Sequence, residues 1–267
     1  MQVVKKYSIM ENILLGFSIP FIGTALGAAM VFFLRDKITD LAQKLMLGFA
    51  SGVMMAASFW SLLQPAIEQC DEGFTGILPV LTGFIVGMGF LYLLDSFVPH
   101  QHIGDEQSEG VRTTLPRSTK LILAVALHNI PEGMAVGVVF AGILNGDTTL
   151  TLAGSFALSI GMAVQNIPEG AIISMPLRQE GKSRAKAFTM GVLSGLVEPV
   201  AAVCTLLFLD NAAGAMPLLL AFAAGAMLYV IVEELIPASQ AGKHNNIGTI
   251  GFACGFILMM ILDTVLE

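Results

Sequence analysis

The chain has 267 residues, of which 55% are hydrophobic and only 12% charged; an ordinary soluble domain carries roughly 25% charged residues. That density, with apolar runs recurring along the whole length, excludes a soluble globular domain and points to a polytopic membrane protein. The net charge of −7 comes with 13 scattered Lys and Arg, clustered nowhere beyond the 178–186 loop, so there is no basic face for a nucleic acid.

Eight apolar runs are long enough to span a bilayer, at about 13–34, 45–66, 77–98, 120–144, 149–176, 187–209, 216–238 and 247–266. The first lacks a small-residue cleavage site and reads as a span, not a secretory signal. The only long connection is the loop at about 99–119; the others are short turns such as "NGDTT" and "DNAAGAM". The expectation is one all-α domain over 1–267, a compact helical bundle in the lipid bilayer.

Orientation follows from Lys and Arg. The loops after spans one, three, five and seven hold Arg35, Lys37, Lys44, Arg112, Arg117, Lys120, Arg178, Lys182, Arg184, Lys186 and Lys243, which is 11 of the 13. Only Lys5 and Lys6 lie on the other side, whose loops carry Glu68, Asp71, Glu72 and Asp147. Both termini are therefore expected outside, with the 99–119 loop in the cytoplasm of a cell bounded by this (inner) membrane.

Along the chain, the second span carries "GFASGVMM" (48–55), which aligns with "AFAAGAML" (221–228) of the seventh. The two segments run in opposite directions. Asp95 closes the third span, and with the loop "PHQHIGDEQSE" (99–109) it reads as interfacial and solvated. His100 and His102, with Asp105, Glu106 and Glu109, offer a weak cytoplasmic metal site there. Cys70, Cys204 and Cys254 are odd in number and form neither a disulfide framework nor a CxxC pair. The fourth span carries "LHNIPEG" (127–133) and the fifth, antiparallel to it, "VQNIPEG" (164–170). "LSGLVEPV" on the sixth places Glu198 in apolar surroundings. "EEL" (233–235), near the inner end of the seventh, reads as a solvated helix end. The two repeated pairs suggest inverted-topology symmetry, the build of many transporters whose sites lie where the repeats meet.

A carboxylate at a helix centre costs roughly 2.5–3.5 kcal/mol. Glu132, Glu169 and Glu198 each incur it, with no Lys or Arg in these spans to compensate, which leaves a bound cation or protonation. His128 and Glu132 are four residues apart and share a helix face, with Asn129 beside them; Gln165, Asn166 and Glu169 repeat the pattern. Pro131 and Pro168 remove hydrogen bonds and free carbonyl oxygens nearby. Imidazole, carboxylates and amide oxygens together suit a borderline divalent ion such as zinc.

Taken together, the eight spans, the outside termini, the His-containing loop after span three and "HNIPEG" with "QNIPEG" resemble the ZIP (Zrt/Irt-like) family of divalent-metal transporters. "LGFASGVMMAAS" and "LSGLVEPV" are similar to its GufA-like branch. The resemblance implies two inverted three-helix repeats around spans four and five and a binuclear metal centre. One ion would sit on His128, Glu132, Gln165, Glu169 and Met54, the second on Asn129, Glu132, Asn166, Glu169 and Glu198. Gln165 stands where many members carry His. The implied cargo is zinc, with cadmium, iron and manganese as alternatives, moving toward the cytoplasm by alternating access; a homodimer stays open. Two other readings compete. An intramembrane metalloprotease needs HExxH, which the chain lacks, and a proton-linked cation channel or exchanger would use the same acids.

Overall fold

In a computed structural model, residues 2–34, 38–100, 110–111, 113–209, 213–242 and 245–266 are described. His102, Asp105, Glu106 and Glu109 lie outside these, as do Arg35, Lys37, Arg112 and Lys243. Every regular element among the described residues is helical, and eight helices are long and apolar enough to cross a membrane. They are α1 (Gln2–Phe33), α2 (Asp40–Glu68), α3 (Phe74–Phe97), α4 (Arg117–Leu144), α5 (Leu152–Gln179), α6 (Arg184–Phe208), α7 (Met216–Gln240) and α8 (Ile247–Leu266).

Local chemistry sets the starts. Thr39, Thr151 and Ser183 each turn a side-chain oxygen onto the N–H three residues ahead, at 3.2, 2.9 and 3.2 Å, which satisfies a donor that the helix cannot. The first helix begins well before the expected residue 13, because no Gly or Pro interrupts its lead. Both α4 and α5 continue through their prolines. By contrast, α6 breaks at Leu196, between segments Arg184–Gly195 and Val197–Phe208: Pro199 has no N–H for the carbonyl of Gly195.

Over their apolar windows α4 and α5 are 72% buried, against 22% for α3 and α8, so the motif-bearing helices form the centre and α3 and α8 the exposed periphery. The principal pairings are α1 with α5, α4 with α6, α2 with α8 and α3 with α7. Several of these depend on glycine allowing backbones to touch. A Cβ on Gly48 or Gly52 would strike the carbonyl of Gly248 or Phe252 in α8, and one on Gly23 or Gly27 that of Ala163 or Ile167 in α5.

The packing exposes a further repeat. Gly83, Phe84, Gly87, Leu94 and Asp95 of α3 recur in order as Gly251, Phe252, Gly255, Leu262 and Asp263 of α8. Gly87 abuts the carbonyl of Phe222, and Gly255 that of Phe49. Those phenylalanines are themselves equivalent in the α2/α7 repeat, so the α3–α7 and α8–α2 contacts are copies of one another. The same helices also share a defect. Ser58–Leu63 in α2 and Ile231–Leu235 in α7 are π-helical turns that begin at equivalent positions. In each, the N–H after the turn reaches five residues back, Gln64 to Phe59 and Ile236 to Ile231, and a proline follows (Pro65, Pro237). The proline just after each turn has no N–H to donate back into it, so the helix loses a bond where the wider turn ends.

Candidate metal centre

The polar residues of the motifs converge where α4, α5, α6 and α1 meet. Asn129, Glu132, Gln165 and Asn166 are fully buried, and Glu169 and Glu198 nearly so. Gln165 Nε2 donates to Glu132 Oε1 at 2.6 Å, across the two motif helices. Asn129 Nδ2 donates to Glu198 Oε1 at 3.0 Å and to the carbonyl of Ser194 at 3.2 Å. Asn166 Nδ2 reaches the carbonyl of Pro20 in α1 at 3.4 Å. Glu132, Glu169 and Glu198 lie within electrostatic range of one another.

This donation pattern commits every amide nitrogen to the protein and leaves the oxygens over. Asn129 Oδ1, Gln165 Oε1, Asn166 Oδ1, Glu132 Oε2, Glu169 Oε2 and Glu198 Oε2 are all buried without a hydrogen-bond partner. Each such atom costs about 1–3 kcal/mol if nothing meets it. Six acceptors in one place, three of them carboxylate oxygens, fit a cation. Among the described residues no three His, Cys, Asp or Glu side chains already surround a metal-sized point. The donor set is therefore as much amide as carboxylate.

His128 takes a different direction from its motif. Its Nε2 pairs with Glu234 in the π turn of α7. Glu234, expected as part of a solvated helix end, is only 5% exposed. The wider turn accounts for this: an extra residue in the turn rotates the following side chain around the axis. Asp95, also expected to be solvated, accepts from Tyr229 Oη at 3.0 Å and pairs with His100 Nε2 at 2.9 Å. His100, proposed for a loop metal site, is thus fully buried against α3, its Nδ1 2.8 Å from the carbonyl of Val98. A small recess is lined here by Asp95, His128, Tyr229, Glu233 and Glu234. Glu169 of the carboxylate cluster lies within electrostatic range of Glu234, which lines this recess. At the opposite end a second small recess is lined by Ser61, Thr149, Thr151, Ser155 and Asp263, with Ser61 Oγ donating to Asp263 at 2.8 Å.

Met54 is fully buried in α2. The sulfur of Met162 lies beside the cluster, its Sδ 3.6 Å from Gln165 Nε2. Sequence reasoning missed Met162, Glu234 and Thr24, which donates its hydroxyl to Glu198 Oε1 at 2.7 Å. The only signal available for Glu234 was its place shortly before Pro237.

Comparison with known proteins gives the chain's relatives. A family model described as "ZIP Zinc transporter" matches residues 99–263. The chain is 35% identical to "Zinc transporter ZIP11" of Xenopus tropicalis, over 98% of this chain and 99% of that one. It is 38% identical to "Zinc transporter ZIPB" of Bordetella bronchiseptica, over 94% and 80%. It is 37% identical to "Zinc transporter GufA" of Myxococcus xanthus, over 90% and 94%.

Proposed function

This chain belongs to the ZIP zinc transporter family, and on that premise we propose that it carries zinc toward the cytoplasm by alternating access through the cluster of Glu132, Glu169 and Glu198. It is a multi-pass membrane protein and a transporter, not an enzyme, which removes the metalloprotease reading. Our reading takes residues 1–267 as one transport domain in the inner membrane, with both termini outside. The two ions of a binuclear centre would share Glu132 and Glu169, with His128, Gln165 and Met54 on one side and Asn129, Asn166 and Glu198 on the other. Cadmium, iron and manganese are the competing cargoes.

The observation that carries the reading is the set of six buried oxygens without partners. They suit a stripped divalent ion in a medium where a lone carboxylate is costly. A small recess toward each end of the bundle, one beside Glu234 and one beside Asp263, favours this reading. The test is uptake into proteoliposomes, with zinc competed by cadmium, iron and manganese. Saturable zinc uptake is expected, and its absence in a folded preparation sinks the proposal. Direction is tested by labelling introduced cysteines. Those in 68–74 should react from outside, and those in 104–112 only after permeabilisation; outside labelling of both overturns the orientation.

A further inference from the structure

We propose that Thr24 of α1 is a positioning residue for the cation, holding one oxygen of Glu198 so that the other is presented to the ion; this rests on the metal-binding reading above. Three observations converge on it. The first is the hydrogen bond. The Thr24 hydroxyl and the Asn129 amide both donate to Glu198 Oε1, at 2.7 and 3.0 Å. Glu198 Oε2 is left buried and without a partner. The two oxygens of one carboxylate therefore have different occupations, one structural and one open to cargo.

The second is how tightly Thr24 is seated. It is fully buried. A Cβ on Gly170 would strike its carbonyl oxygen, and one on Gly195 would lie 2.7 Å from its Cγ2 and 3.0 Å from its Oγ1. Glycines of α5 and α6 thus let α1 approach until the hydroxyl meets the carboxylate. A side chain fixed on this many sides loses little entropy in making its bond.

The third is symmetry. Gly133 of α4 abuts the carbonyl of Glu198, and Gly170 of α5, its motif equivalent, abuts the carbonyl of Thr24. Thr24 therefore stands to α5 as Glu198 stands to α4. The repeat places a hydroxyl where a fourth carboxylate would otherwise come, and that hydroxyl crosses over to orient the carboxylate that is present. Partners of this kind, outside the ligand set, typically account for about 10–100-fold in metal affinity.

The experiment is zinc titration of the purified full chain as wild type, Thr24→Val, Thr24→Ser and Glu198→Gln, and of the Thr24→Val/Glu198→Gln double variant. Valine keeps the shape of threonine and removes its hydroxyl. If that variant does not fold, by thermal unfolding, Thr24→Ala takes its place in the same set. Thr24→Val is expected to weaken zinc binding about tenfold, Thr24→Ser to return it to within about twofold of wild type, and Thr24→Val to have no further effect once Glu198 is Gln. A wild-type affinity in Thr24→Val, a Thr24→Ser as defective as Thr24→Val, or additive losses in the double variant would each overturn the inference while leaving the transport reading standing. A folded wild type that binds no divalent ion overturns both.

Discussion

In α4 the first polar residue of the repeated motif is His128, paired through Nε2 with Glu234 of α7. In α5 the equivalent residue is Gln165, whose Nε2 donates to Glu132 at 2.6 Å. The rest of the motif stays matched: Asn129 and Asn166 each leave an amide oxygen over, and Glu132 and Glu169 each leave a carboxylate oxygen. The repeat therefore fixes position without fixing role. One copy closes the centre by bonding across to its mate, and the other reaches out of the centre to the recess lined by Glu233 and Glu234.

The shared half of the motif should be the hardest to lose. Glu169→Ala removes a buried acid that has no basic partner in these spans, so expression should survive while zinc uptake into proteoliposomes falls at least about 100-fold. Near-normal uptake would take Glu169 out of the site. The divergent half gives a smaller effect and a sharper reading. His128→Gln and Glu234→Gln should each slow uptake, by about tenfold, and combining them should add little, because each breaks the same pair. Additive losses would show that His128 acts with the centre as Gln165 does, and the contrast between the copies would dissolve. Gln165→His is the mildest change. Imidazole is a better ligand for zinc than an amide oxygen, and manganese gains less from the swap, so competitive binding should shift toward zinc by roughly threefold or more. An unchanged ratio would mean that position 165 meets only Glu132 and never the ion.

What was legible in the sequence follows from where the signal lies. The pair of NIPEG motifs and Glu198 stand out because polar groups in apolar spans are costly, and cost marks function. The eight spans were legible for the same reason in reverse. Glu234 was not, because an i to i+4 reading assumes a regular helix and α7 departs from one at Ile231–Leu235. Thr24 was silent because a single hydroxyl in an apolar helix costs little and is common. Asp95 was visible, but its partner Tyr229 is 134 residues away, and such a pairing belongs to packing, not pattern. The repeat of α3 in α8 could have been read from Gly83, Gly87 and Asp95 against Gly251, Gly255 and Asp263. Its glycines acquire meaning only once the carbonyls they approach are known.

The glycine face of α2 bears on how the chain is made. Gly48 and Gly52 are shaped to receive the backbone of α8 at Gly248 and Phe252, and α8 is the last of these eight helices to leave the ribosome. At synthesis rates of about 5–20 residues per second, the about 200 residues between the end of α2 and the end of α8 take roughly 10–40 s. For that time the glycine face of α2 lacks the helix it is shaped to receive. Association of α2 with its partner is thus a late event of biogenesis, and a ribosome stalled before α8 would leave an inserted but unclosed protein.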